Sequence, residues 1–578
     1  MENKTACTKP FRPAITGTRH MIAAGHFGAA HAGFCVLEAG GNAVDAGVAA
    51  GICLGVLQTD IVNFAGVAPI MLWLAERRKL VTIDGLGVWP KAARLDVFHE
   101  KYEGRMPPGL LRTVVPAAPD SWITALELYG TMSFGDVAQA AIRYARDGFA
   151  MHPLMADYIT EQEEAYRRWP ANAAVYLPGG KAPGVNDLFV QAELAKSLQY
   201  MADEERAHAG RGRVAGLAAA RAAFYRGDIG RAIARYHREN GGWLTEDDLA
   251  SFRVRHEQPV RTRFRDLDVY ACGPWCQGPV TLQTLNILAG LDLEQLGHNT
   301  PEYLHALIEA LKLAFADRHR YYGDPAFVNV PMEQLLSAAF AGERRQRIDM
   351  QRAHPGMPDA GSIAGWNPTR FDLPMPTRGD PAPPADTSYV CVIDRHGNAF
   401  SATPSDESSA MPLVPGTGLV PSSRGSQSWT DPRHPACLAP GKRPRLTPSP
   451  GMVFKNGELY MPYGSPGNDI QPQAMVQTLL NISVFGMDPQ SAVEAPRIGS
   501  YSYPGSSEPH AYHPARVMID DRFPRITGEA LSARGHDVGW WPHLSWKAGG
   551  VCTIVRDPKT GILSAGADPR RPAYALGW

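Results

Sequence analysis

The chain has 578 residues, far longer than one typical domain, so two domains or one large globule with ample core are the allowed sizes. Hydrophobic residues make up 44%, charged residues 20%, and the formal net charge is -1; this excludes the basic excess that a nucleic-acid backbone requires. The longest apolar stretches, such as Ala46 to Leu57, are broken by glycines and fall short of the roughly 20 residues of a membrane-spanning helix, so no membrane partner is expected.

The first twenty residues, "MENKTACTKPFRPAITGTRH", contain no apolar h-region, and a cytoplasmic location is expected. Eight scattered cysteines in mostly apolar surroundings read as reduced, buried thiols rather than a disulfide framework. Cys272 and Cys276 are the closest pair, but no second pair stands at zinc-ligand spacing, so no metal is expected.

Residues 23–57 are rich in Ala, Gly and aliphatics, and "EAGGNAVDA" reads as a helix stop at Gly40-Gly41 followed by a helix capped by Asn42. A phosphate-loop reading fails for want of a Gly-Lys-Ser/Thr end and a preceding strand. From Ser121 to about Arg345 helical patterns dominate; Leu304, Leu307, Ile308, Leu311 and Phe315 mark one core-facing stripe. Between His354 and Asp386 eight prolines and several glycines replace any periodicity, which predicts an extended, mobile connection and the clearest internal boundary.

Beyond it the pattern turns to β. "TSYVCVID", "HGN" and "AFSAT" read as strand, turn and strand, and "MVFKNGELYMPYG" repeats the device around Asn456-Gly457. A helix is expected over 473–485 and a further strand over 550–555.

A mobile linker ahead of a strand that opens on Thr387 suggests a nucleophile made by cutting the chain. Attack of the Thr387 hydroxyl on the Asp386 carbonyl, an N-to-O acyl shift and hydrolysis would free an N-terminal threonine. Its α-amine could then serve as base for its own hydroxyl. Taken alone, Asp386-Thr387 also reads as an ordinary strand start.

Further motifs lie in fixed order along the chain: "GGNAVDA" (40–46), "VPAAPDSW" (115–122), "FYRGDI" (224–229), "GGWLTEDDLASF" (241–252), "ADRHRYYGDP" (316–325), "DTSYVCVIDRHGNAFSAT" (386–403), "PGKRPRLTPSP" (440–450), "GSPGNDIQPQ" (464–473), "EAPR" (494–497) and "ADPR" (567–570). Together they make the chain resemble the γ-glutamyltranspeptidase family of N-terminal-nucleophile hydrolases. The resemblance implies an α+β fold, a four-layer αββα sandwich, cut into a large fragment 1–386 and a small fragment 387–578 that stay associated. It places the nucleophile on Thr387, an assisting hydroxyl on Ser405, and an oxyanion hole on the backbone N–H groups of Gly467 and Asn468, the latter replacing a second glycine. Backbone donors suffice there, and Asn tolerates unusual dihedrals.

The same resemblance exposes departures. The family's arginine for a glutamate α-carboxylate falls on Leu86, its asparagine on Glu407, its acidic residue near Gln427, and its serine pair on Leu446-Thr447; "NFAGVAPI" (63–70) replaces a glycine-rich turn. Losing a bidentate carboxylate clamp is not conservative. The acyl-transfer machinery is retained while the glutamate pocket is rebuilt, with Glu407, Gln427, Thr447 and Arg424 as candidate substrate-binding residues, Arg424 for an anionic acyl group. "GLVPSSRGSQSW" and "GPWCQGPVTLQTLN" look closer to the acylase and oxamate amidohydrolase-like branches. The expected activity is cleavage of a small amide through an acyl-enzyme, without cofactor. The alternatives are a true γ-glutamyltransferase with a rebuilt pocket, and an uncleaved, non-catalytic binding relative.

Overall fold

The structure, a computed structural model, describes residues 10–366, 371–381 and 387–578. Two seven-stranded antiparallel sheets form its centre. In the first, Ile15–Gly17, Leu563–Ala567, Cys552–Arg556, Glu458–Gly464, Gly451–Lys455, Leu267–Ala271 and Val260–Phe264 lie in that order. In the second the order is Tyr574–Gly577, Met21–Ala24, Val390–Ile393, Ala399–Ala402, Ile70–Leu74, Lys79–Ile83 and His256–Glu257.

Strand alternation sorts the side chains into layers. Met21, Ala23, Cys391 and Ile393 point between the sheets, where they meet Met452, Cys552 and Ile554. Their neighbours Ile22, Ala24, Val390 and Val392 point outward onto the helices Phe27–Glu38 and Ala43–Leu57. On the opposite outer face Val269, Val453 and Met461 pack under the helices Gly278–Leu288 and Gln471–Ser483. Helix, sheet, sheet and helix are the four layers of the αββα sandwich expected.

The small-residue helices are small for a steric reason. A Cβ on Gly47 would lie 2.2 Å from the Phe400 ring, so only glycine lets this helix approach the sheet. Asn42 caps it as expected: its side chain accepts from the Val44 and Asp45 amides, and Asp45 returns a bond to the Asn42 N–H at 2.9 Å. Asn456 and Gly457 turn their hairpin with φ of 53° and 79°.

Helices dominate 121–345 as expected, interrupted where Val260–Phe264 and Leu267–Ala271 form an edge hairpin of the first sheet. Its alternation is confined to five residues a side and is outweighed in sequence by the long helices around it. The connection 354–381 is tied down where it is described: Gly361 N–H donates to Asp317 and Gly361 C=O accepts from Tyr321 Oη, Thr377 and Tyr512 exchange bonds of 2.7 and 3.1 Å, and Asp380 pairs with Arg516. These anchors come from elements distant in sequence, so composition alone did not reveal them. The helix expected over 473–485 runs Gln471–Ser483.

Both sheets mix strands from either side of Thr387, with Val390–Ile393 lying between Met21–Ala24 and Ala399–Ala402. A cut before Thr387 leaves these hydrogen-bonded ladders intact. Among the described residues no helix is long and apolar enough to cross a membrane.

Candidate active site

Thr387 stands just ahead of the central strand Val390–Ile393 and is 1% exposed. Sheet pairing continues past the regular strands: Ser388 N–H donates to Pro404 C=O at 3.0 Å, and Ser405 and Val67 exchange backbone bonds of 3.0 and 3.1 Å. Thr387 and Ser405 are thereby held opposite each other, with their hydroxyl oxygens 2.9 Å apart. Arg424, also buried, donates from its guanidinium to Ser405 Oγ. From the other side Gln471 Nε2 donates to Thr387 Oγ1 at 3.2 Å. Asp386 lies outside the described residues.

Asp406 follows Ser405 with φ 144°, a backbone conformation costly for a non-glycine residue. Its carboxylate is gripped by Ser422 Oγ, Ser423 Oγ and the Ser423 N–H, and its C=O accepts from Asn63 Nδ2 at 2.8 Å. These bonds fix the strained turn that aims Ser405 at Thr387, and they lie close to Arg424, whose Nε is 3.7 Å from Asp406 Oδ2.

Gly467 and Asn468 have φ of 116° and 50°. The left-handed pair precedes a short turn that feeds the helix Gln471–Ser483, so its amides project at a helix N-terminus, where partial positive charge gathers. Among the described residues neither amide meets an acceptor. Asn468 thus adopts a conformation that lets it stand in for glycine. Arg318 braces the turn: its Nη1 donates to Asp469 Oδ1 at 2.5 Å, to Gln277 Oε1 at 3.0 Å and to Ser506 Oγ at 2.8 Å. Gln277 Nε2 in turn donates to the carbonyls of Asn468 and Thr447.

The candidate substrate-binding residues separate into two groups. Gln427 and Thr447 are fully buried and bind each other, Gln427 Nε2 to Thr447 Oγ1 at 2.8 Å and Thr447 N–H to Gln427 Oε1 at 3.1 Å. Glu407 accepts from Tyr158 Oη at 3.2 Å; burial pushes its carboxyl up, partly offset by Arg112 and Arg424. Arg424 faces Ser405 and the acids Asp406 and Glu407, so it supports the hydroxyl next to Thr387. Leu86 and Leu446 are wholly buried in the apolar layer between the sheets, beside Trp275 and Cys276. That burial explains why no arginine clamp stands at position 86.

Sequence reasoning missed Gln471, Asp406, Arg318 and Gln277. Gln471, Arg318 and Gln277 lie in motifs already singled out, but nothing in a sequence shows that they converge on one turn. Away from the nucleophile, His305, Glu309 and His536 have the donor types of a metal site. Their bonds are turned inward: His305 Nδ1 and His536 Nε2 share a hydrogen bond of 2.9 Å, and Lys312 Nζ and His354 N–H hold the Glu309 oxygens. The seven described cysteines are unpaired.

Comparison with known proteins identifies the family and the fold. The model of the family described as Gamma-glutamyltranspeptidase matches residues 29–578. The chain is 32% identical over 572 residues to the glutathione hydrolase-like YwrD proenzyme of Bacillus subtilis (strain 168), covering 98% of this chain and 99% of that one. It is 33% identical over 570 residues to the acylase ACY 1 proenzyme of Pseudomonas sp. (strain SE83), covering 96% and 92%. A solved cephalosporin acylase from Bacillus halodurans superposes with a TM-score of 0.85 at 30% identity, over 100% of this chain and 99% of that one. An αββα sandwich with a buried threonine hydroxyl just ahead of an interior strand, in a chain matched by this family and its acylases, is that of an N-terminal-nucleophile amidohydrolase or acyltransferase. The chain belongs to the gamma-glutamyltranspeptidase family, which sets aside the non-catalytic binding reading.

Proposed function

We propose that the chain cuts itself between Asp386 and Thr387 and that fragments 1–386 and 387–578 together form an amidohydrolase with Thr387 as nucleophile. The observation that carries this is the buried Thr387 hydroxyl 2.9 Å from Ser405, at the head of the central strand. In maturation Oγ1 attacks the Asp386 carbonyl carbon, the peptide C–N bond breaks as the nitrogen takes a proton, and water hydrolyses the resulting ester. In turnover the freed α-amine takes the Oγ1 proton as Oγ1 attacks the substrate amide. The Gly467 and Asn468 amides hold the developing oxyanion, each worth about 3 kcal/mol. The amine leaves with the transferred proton, and water, or a second amine, releases the acyl group.

For the substrate, this reading favours a small amide whose acyl group is not recognised as glutamate. With Leu86 and Leu446 buried in the core, Glu407, Arg424, Gln427 and Thr447 are the polar groups proposed to orient it. The acylase and cephalosporin acylase relatives direct the first screen to amides of those kinds. The true γ-glutamyltransferase reading, kept by the glutathione hydrolase-like relative, predicts turnover of a γ-glutamyl anilide stimulated by a dipeptide acceptor. A cytoplasmic location belongs to the same reading and is tested by fractionation.

Intact-mass spectrometry of the denatured protein beside a Thr387→Ala variant tests the core claim. Two wild-type fragments meeting at 386/387 and a whole variant are expected. A wild-type chain that stays whole refutes it.

A further inference from the structure

Gln471 opens the helix Gln471–Ser483, three residues after Asn468, and its side chain is wholly buried. Nε2 donates to Thr387 Oγ1 at 3.2 Å, while Oε1, equally buried, meets no donor among the described residues. An orphaned buried carbonyl costs about 1–3 kcal/mol, so its persistence beside a nucleophile calls for a function.

Threonine carries Oγ1 and its main-chain nitrogen on adjacent carbons, and a primary amide presents donor and acceptor side by side. In the uncut chain the Thr387 nitrogen has a single N–H. Once the Asp386–Thr387 bond is broken it becomes an amine with at least two. We propose that Gln471 is a further catalytic residue that clamps both atoms: Nε2 holds Oγ1 before and after cleavage, and Oε1 accepts an N–H of the newly formed α-amine.

With one N–H committed to Oε1, the amine lone pair is left to face the Oγ1 proton, the orientation a base requires. Gln471 itself gains and loses no proton. This inference rests on the proposed self-cleavage. The charged groups around the pair are Arg424 and Asp406 on the Ser405 side, and Asp469, held by Arg318, on the helix side. None of them changes in the variants below.

The test uses the full chain and needs no substrate. Self-cleavage of wild type, Gln471→Met and Gln471→Glu is followed by mass spectrometry, and the Thr387 amine of the cut protein is titrated by the pH dependence of its acetylation with acetic anhydride. Gln471→Met removes both bonds: cleavage slows about tenfold or more, and the amine titrates lower than in wild type. Gln471→Glu loses the donor but keeps an acceptor that now carries charge: cleavage again slows, and the amine titrates about one unit higher.

Opposite displacements of the two titrations support the clamp, because a purely structural role would lower melting temperature without moving them apart. Titrations unchanged from a cut wild type overturn the inference while leaving the proposed function standing. A wild type that never cuts removes both. If Gln471→Met fails to fold, the isosteric Gln471→Glu decides the matter.

Discussion

Replacing Arg318 by methionine removes the brace under the oxyanion turn. The guanidinium is completely buried and bonds Asp469, Gln277, Ser506 and the Pro504 carbonyl. Methionine fills similar volume, so the main loss is electrostatic: among the described residues the Asp469 carboxylate keeps hydrogen bonds from the Ser506 N–H and Oγ and the field of the buried Arg445. Breaking one side of a buried pair costs about 3–5 kcal/mol. Spread over the unfolding entropy of a chain this long, melting as one unit, that is a fall of roughly 3–4 °C in Tm. The functional effect is larger in proportion, because Gln277 loses the bond that orients it toward Asn468. Displacing one oxyanion donor slows self-cleavage by up to about a hundredfold. Adding Asp469→Asn relieves the unpaired charge and recovers part of the Tm but not the cleavage rate. Thermal unfolding by circular dichroism and timed mass spectrometry measure both quantities. An Arg318→Met protein that melts and cleaves like wild type refutes the role given to this brace.

Asn468→Gly keeps the left-handed turn and close to full cleavage, whereas Asn468→Val forces a β-branched residue to φ 50° and costs about 1–2 kcal/mol along with most activity; equal rates in the two variants contradict the turn geometry. Leu86→Arg restores the family's residue but buries an unpaired guanidinium between the sheets, so a lowered Tm without γ-glutamyl anilide turnover is expected; a stable, newly active variant refutes the account of the rebuilt pocket. Burial pushes His26 and His237 down to about 3, His510 to about 4 and His536 to about 2, so these rings fold neutral. Their stabilising contribution is complete above the unfolded value of about 6.5 and is lost as pH falls toward the folded values. Asp84 and Asp317, raised to about 6 by burial, oppose this between pH 4 and 6, but four groups outweigh two, and Tm falls from pH 7 to pH 5. A Tm that is flat or rising over that interval contradicts the balance.

The sequence by itself determined what depends on local chemistry and order along the chain. The Asn42 cap, the Asn456-Gly457 turn and the alternation after Thr387 are short-range rules acting on neighbours, and the ordered motifs carried the family and the αββα fold. The family resemblance also singled out Thr387, Ser405 and Gly467 as candidates, because each lies in or beside a motif at fixed spacing. The tertiary structure alone decided how the site is held together. Ser405 reaches Thr387 across a strand pairing, and Gln471 approaches from a helix 84 residues away along the chain. Arg318 joins the oxyanion turn from a helix on the other side of the cut. The connection 354–381 reads as free from its prolines and glycines, yet Asp317, Tyr512 and Arg516 anchor it. Hydrogen bonds and buried charges between distant segments depend on where the folded layers place them, and no local pattern encodes that placement.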